Sequence, residues 1–170
     1  DLDDGLDWLI AQGITDPQRS CMMGGSYGGY AALVAAFKSV DRYKCAVAFA
    51  PVTDINELIR EQRNFVLSKG SIDKLKDRDN QAEVSPIEQV ENFSIPLLIV
   101  HGDVDRTVKI EQSRTLTEAL KAAGADYQYI EQKNGDHYLS LESHRREFLV
   151  AVDGFLERHI GAAKQSANSL

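Results

Sequence analysis

Ser26 lies in Gly24-Gly25-Ser26-Tyr27-Gly28-Gly29-Tyr30, a stretch that contains the pattern Gly-x-Ser-x-Gly. In that pattern a serine sits on a sharp turn between a strand and a helix, and its hydroxyl is pushed outward as a nucleophile. The glycines have a steric reason. A Cβ beside the strained serine would collide with the turn, so Gly24 and Gly28 are expected to give the chain room to bend. A serine hydroxyl is a weak nucleophile near neutral pH. It needs a base to take its proton and a carboxylate to orient that base, and with this type of elbow the chain order is serine, acid, histidine.

Four histidines compete for the role of base. His137 stands in the polar loop Lys133-Asn134-Gly135-Asp136-His137-Tyr138, after the alternating run at 127–130, and is the candidate. His101 closes the apolar run 95–100 and reads as structural, while His144 and His159 fall on a C-terminal helix where a solvated ring is the simpler reading. For the acid, Asp105 leads and Asp103 is the reserve, because both follow a strand end, where open α/β sheets carry their functional loops. Asp136 adjoins His137 in sequence, and adjacent side chains usually point apart.

The elements that must position these residues are readable on either side of them. Residues 19–23 form a short apolar run after the turn at Asp16-Pro17-Gln18, which predicts a strand before the elbow. Residues 30–37, rich in Ala and free of Gly and Pro, predict the helix after it. Leu2, Leu6, Leu9 and Ile10 follow helical spacing, with Asp3 and Asp4 in the first turn and Gly13 as the stop. The apolar runs 44–50 and 95–100 read as strands buried on both faces. A helix is expected at 55–65, and another at 110–123 with Ile110, Ser113, Leu116 and Leu120 inward and Gly124 as its stop. A strand at 127–130 and a helix at 141–160, with Leu141, Phe148, Val152, Phe155 and Leu156 inward, complete the series. The charged stretch 73–83 reads as a solvated face or loop, and 161–170 as a frayed tail. Alternating helices and strands predict a parallel sheet with helices on both sides.

The chain resembles the prolyl oligopeptidase family of serine peptidases, in the C-terminal part of its catalytic α/β-hydrolase domain. The resemblance rests on the motif at 24–30, on His101-Gly102-Asp103-Val104-Asp105-Arg106-Thr107-Val108, on Ser85-Pro86-Ile87 ahead of the strand at 96–100, and on Gly135-Asp136-His137. It covers about residues 1–160, and it implies a three-layer α/β-hydrolase fold with a mainly parallel sheet that lacks its N-terminal strands. It also implies a triad of Ser26, Asp105 and His137, because the family's acid is the fourth residue after the histidine of the His-Gly motif. Tyr27 would give a backbone N–H to the oxyanion. Val52, Ile55 and Leu58, with Tyr27 and Val108, would wall the substrate pocket, and Gln62 falls at a further pocket position. Aliphatic residues at these positions imply hydrophobic or small residues before the cut rather than strict proline specificity. The family's second oxyanion donor is a tyrosine upstream of the elbow, in the part of the domain this chain lacks, so weak activity or none is expected of the chain alone. A β-propeller that admits only short peptides usually accompanies this domain. An esterase on the same scaffold and an inert module that self-associates are the alternatives.

Composition narrows the partners. The chain has 170 residues, 43% hydrophobic and 26% charged, with a formal net charge of −7. That size suits one globular domain, and the negative charge argues against a general nucleic-acid or anionic-membrane binder. No apolar run approaches the roughly 20 residues of a membrane-spanning helix. No His-x-x-x-His or Cys-x-x-Cys spacing suggests a metal site, so no metal or cofactor is expected. The expected partner is a peptide substrate, and the sheet edge left open by the absent strands invites pairing with another copy. Cys21 and Cys45, each in an apolar run on strands expected to be neighbours, read as buried free thiols, with a disulfide between them as the alternative.

Overall fold

The computed structural model describes residues 2–62 and 81–161. In order the elements are α1 (Leu2–Ala11), β1 (Cys21–Gly25), α2 (Tyr27–Lys38), β2 (Cys45–Phe49), α3 (Ile55–Gln62), α4 (Gln81–Val84), a 3₁₀ helix (Pro86–Asn92), β3 (Leu97–Gly102), α5 (Glu111–Ala123), β4 (Tyr127–Gln132) and α6 (Glu142–Ile160). The expected end of α3 at 65, most of the charged stretch 73–83 and nearly all of the expected tail lie outside the described residues. So does the side chain of Gln62.

The four strands form one parallel sheet in the order β1-β2-β3-β4. Period-two alternation splits the central strands between two cores. Ala46, Ala48, Leu97 and Ile99 meet Ala32, Leu33 and Ala36 of α2 and Leu116 and Leu120 of α5. Cys45, Val47, Phe49, Leu98 and Val100 face the other way, onto Val152 and Phe155 of α6. Three layers result, with every residue of β2 and β3 buried. The outer edge of β1 pairs with no strand among the described residues, and Met23 on it is 55% exposed.

Several expectations shift in register, each for a local reason. β1 starts at Cys21 because Arg19 is still in the turn, its N–H bonded to the Asp16 carbonyl, and it continues through both glycines to Gly25. Helix α2 starts at Tyr27 rather than 30. Its glycines are tolerated in the first turn because that turn packs on backbone: a Cβ on Gly29 would lie 2.9 Å from the Phe49 carbonyl oxygen. Strand β3 runs two residues past Val100 because His101 and Gly102 still pair with Glu131 and Gln132 of β4. Leu141 is the residue before α6, half exposed rather than inward, and Leu2 is likewise exposed, while Leu6 of α1 is buried with Ala35 and Tyr43 and Ile10 packs against them. Gly124 ends α5 in the left-handed region, as expected.

The cysteines depart from expectation. Cys21 and Cys45 are bridged, and no described cysteine is free. They occupy directly paired positions of β1 and β2 with a Cα separation of 4.8 Å, inside the range a disulfide spans.

Candidate active site

The site is built at the C-terminal ends of β1, β3 and β4. Ser26 is the single residue between β1 and α2, at φ 57° and ψ −121°. Only glycine adopts that conformation without cost. It is held by what flanks it: the Ser26 N–H donates to the Phe49 carbonyl at 2.8 Å, and the Ser26 carbonyl accepts from the Tyr30 N–H, opening α2. Gly24 is required because a Cβ there would lie 2.3 Å from the Gly28 carbonyl oxygen. Gly28 differs from expectation. A Cβ at that position would meet nothing within 4 Å, so its backbone, not its missing side chain, is what crowds the elbow.

This strain makes a stability prediction. Ser26→Gly relieves a positive φ and is expected to raise unfolding free energy by about 1–2 kcal/mol, whereas Ser26→Ala keeps the Cβ and leaves stability near that of the wild type. Urea unfolding of the three proteins checks this, and equal midpoints would mean that the elbow is not strained.

His137 and Asp105 are joined by a bond of 2.7 Å between Nδ1 and Oδ2. A carboxylate only accepts, so Nδ1 carries the hydrogen and the neutral ring's free lone pair is on Nε2. Asp105 is buried, and each of its oxygens has two donors nearby. Oδ1 accepts the N–H groups of Thr107 (2.7 Å) and Val108 (2.9 Å), and Oδ2 faces His101 Nε2 at 3.3 Å as well as His137. Burial alone would raise the carboxyl's pKa. The hydrogen bonds from His101, His137 and the two backbone amides outweigh it and hold the group down to about 2.

The loops that carry these two residues are stitched together by backbone. Asp103 N–H donates to Gln132 O and Val104 N–H to Gly135 O, while Asp103 Oδ1 accepts the Asn134 N–H. A Cβ on Gly102 would lie 2.2 Å from the Gly135 carbonyl oxygen. Asp103, the reserve acid, therefore holds the His137 loop and does not touch the imidazole. Asp136 accepts the Tyr138 and Ser140 N–H groups and caps the following turn. Among the described residues no hydrogen bond joins Ser26 Oγ to the imidazole. Tyr27 is the first residue of α2, in the turn whose N–H groups have no partner within the helix, and its side chain is largely exposed.

The residues expected to wall a pocket come together, but as a packed cluster. Val52, Ile55, Leu58 and Val108 are buried against one another with Tyr30 and Ile59. A buried residue that sequence reading missed ties this cluster's loop to α5. Gln112 Oε1 accepts the N–H groups of Thr53 and Asp54, each at 2.8 Å, and the Thr53 hydroxyl donates to the Gln112 carbonyl at 2.7 Å. Its only signal was a place four residues before Leu116 in the inward row of the helix. Ser85 Oγ, fully buried, accepts the Ile55 N–H and fixes the start of α3. Among the described residues no group of His, Cys, Asp and Glu is arranged to hold a metal ion, and no helix is long and apolar enough to cross a membrane.

A serine elbow leaving a parallel sheet, with an acid and a histidine bonded to each other after the following strands, defines an α/β-hydrolase fold. Within that class the chain belongs to the prolyl oligopeptidase family, whose sequence model matches residues 1–163. It is 28% identical over 169 residues to dipeptidyl aminopeptidase BIII of Pseudoxanthomonas mexicana, covering 95% of this chain and 24% of that protein. It is 30% identical over 157 residues to the uncharacterized peptidase YuxL of Bacillus subtilis (strain 168), covering 85% of this chain and 23% of that one. Among solved structures, the puromycin-hydrolyzing peptidase of Mycobacterium tuberculosis superposes with a TM-score of 0.82 at 23% identity, over 92% of this chain and 24% of that chain. The acylaminoacyl peptidase of Pyrococcus horikoshii gives 0.81 at 23% identity, over 97% and 28%. The chain thus spans about a quarter of the length of these relatives.

Proposed function

We propose that this chain carries the hydrolytic machinery of a serine peptidase that cleaves short peptides through an acyl-enzyme. Ser26 attacks the scissile carbonyl, and His137 Nε2 takes its proton and then protonates the leaving amine. Asp105 keeps the imidazole in the tautomer that presents Nε2 and stabilises it while charged. The Tyr27 N–H is assigned to the developing oxyanion, since it follows the nucleophile directly. The observation that carries this reading is the 2.7 Å bond between a buried, strongly acidic Asp105 and His137. A carboxyl held in its anionic form by four donors serves no obvious packing purpose, and it suits the orientation of a general base. The names of the relatives, all peptidases of one kind or another, support peptides as the substrate class.

The apolar cluster of Val52, Ile55, Leu58 and Val108 beside α2 is aliphatic at the proposed pocket positions. On that ground we assign a preference for small or aliphatic residues before the cut over proline, whose ring gains from aromatic stacking. Peptide amides bearing Ala, Leu or Pro at that position, run beside a p-nitrophenyl ester, test both points. Amide cleavage with Ala or Leu ahead of Pro is expected. Ester turnover with no amide cleavage would make the protein an esterase. The unpaired edge of β1 favours one further reading, association of two copies along that edge, which analytical ultracentrifugation resolves.

A further inference from the structure

His101 has no part in the proton transfers above, yet it is fully buried in β3 with both ring nitrogens engaged. Nδ1 lies 2.8 Å from Ser113 Oγ, and Nε2 lies 3.0 Å from the Val108 carbonyl oxygen and 3.3 Å from Asp105 Oδ2. The carbonyl and the carboxylate are both acceptors, so the Nε2 hydrogen must point at them. In the neutral ring, Nδ1 then accepts the Ser113 hydroxyl, which fixes the tautomer. Every part of this arrangement bears on the same carboxylate. Val108, whose carbonyl His101 holds, also gives its own N–H to Asp105 Oδ1 at 2.9 Å.

We infer that His101 is a positioning residue for the proposed acid, aiming Asp105 Oδ2 at His137 through its Nε2–H and through the Val108 peptide. The inference rests on the Ser26-Asp105-His137 reading for its kinetic consequence but not for its geometry. With His101 in place, the carboxylate is held at both oxygens and cannot rotate about its Cβ–Cγ bond without losing a donor. Without it, Oδ2 keeps only His137, and the Val108 carbonyl is left buried and unpaired. A carboxylate free to swing transmits that freedom to the imidazole, and misplacing a reacting group by about 1 Å costs up to about 10²-fold in rate.

The test compares the wild type with His101→Leu, which removes both ring nitrogens, and His101→Gln, whose side-chain amide can still donate near the Nε2 position. The expected result is a fall in kcat of about 10–10²-fold for His101→Leu with KM within about twofold of wild type. His101→Gln is expected to recover most of the loss even if its urea midpoint is as low as that of the Leu variant. A second readout does not depend on turnover. The low-field imidazole proton of the His137–Asp105 bond, observed by NMR, is expected to move or broaden in His101→Leu and to return in His101→Gln. Should His101→Leu fail to fold, Ser113→Ala takes its place, with a smaller loss of kcat and a shift of the same resonance expected.

Unchanged kcat and an unmoved resonance in the folded variants would overturn the inference, as would activity that merely follows stability in both substitutions. If the folded wild type neither cleaves a substrate nor takes a fluorophosphonate at Ser26 while the resonance still responds to His101, the peptidase reading fails and the positioning role stands.

Discussion

Ser26→Ala is expected to reduce peptide hydrolysis by about 10⁴-fold or more, to the level that binding and oxyanion stabilisation alone supply. The substitution removes only the hydroxyl. The Ser26 N–H bond to Phe49 and the entry into α2 belong to the backbone and remain. His137→Ala is expected to cost about as much, because in a serine-histidine unit either loss disables the same step, and the double variant is expected to be no worse than the single ones. Initial rates with an amide substrate check this, with the urea midpoints of the variants as the control. Residual activity above about one per cent in Ser26→Ala would mean that another group is the nucleophile.

Asp105→Asn is expected to lower kcat by about 10⁴-fold with little change in fold. The direction of the new amide follows from the hydrogen bonds. The Thr107 and Val108 N–H groups require an acceptor at the Oδ1 position, so the Asn carbonyl goes there. Its NH₂ is then left facing His137 Nδ1 and the Nε2–H of His101. To meet a donor, His137 must turn Nδ1 into an acceptor, which places its hydrogen on Nε2 and disables it as a base toward Ser26. The same carboxyl has a signature in stability. Its pKa is about 2 in the fold against about 3.9 in an unfolded chain. A depressed carboxylate stabilises the fold at pH above its unfolded value, and that stabilisation is lost as pH falls through the folded value. The stability difference between wild type and Asp105→Asn is therefore expected to be constant above about pH 5, on the order of 2 kcal/mol, and to shrink between about pH 4 and pH 2. Urea midpoints measured across that range check it. A difference that grows on acidification would contradict the assigned hydrogen bonds.

What the sequence disclosed follows from how local its signals are. The elbow is a run of seven residues with sterics largely its own, and the strands β2 and β3 announce themselves by apolar runs, through Phe49 and Val100, because both faces are covered. The pairing of His137 with Asp105 was legible from loop position and motif, and these two side chains are bonded in the structure. Long-range backbone contacts were not legible. Nothing near Gly102 or Gly135 says that their backbones meet, since each glycine alone reads as an ordinary loop residue. Loop position alone did not separate the reserve acid Asp103 from Asp105; the family's motif favoured Asp105, and in the structure Asp103 is bonded to Asn134 while Asp105 is bonded to His137. Gln112 was hidden because a buried polar residue betrays itself only through partners, here Thr53 and Asp54, far away in sequence. The cysteines misled for a related reason: apolar runs predict burial, but only the β1–β2 register decides whether two thiols face each other.

The most direct test of the account is covalent labelling with a fluorophosphonate, followed by intact-mass analysis of the wild type, Ser26→Ala and His137→Ala. The account predicts a single adduct on the folded wild type, located at Ser26 by peptide mapping and absent from both variants. A folded wild type that takes no adduct, or one labelled equally in Ser26→Ala, would contradict it.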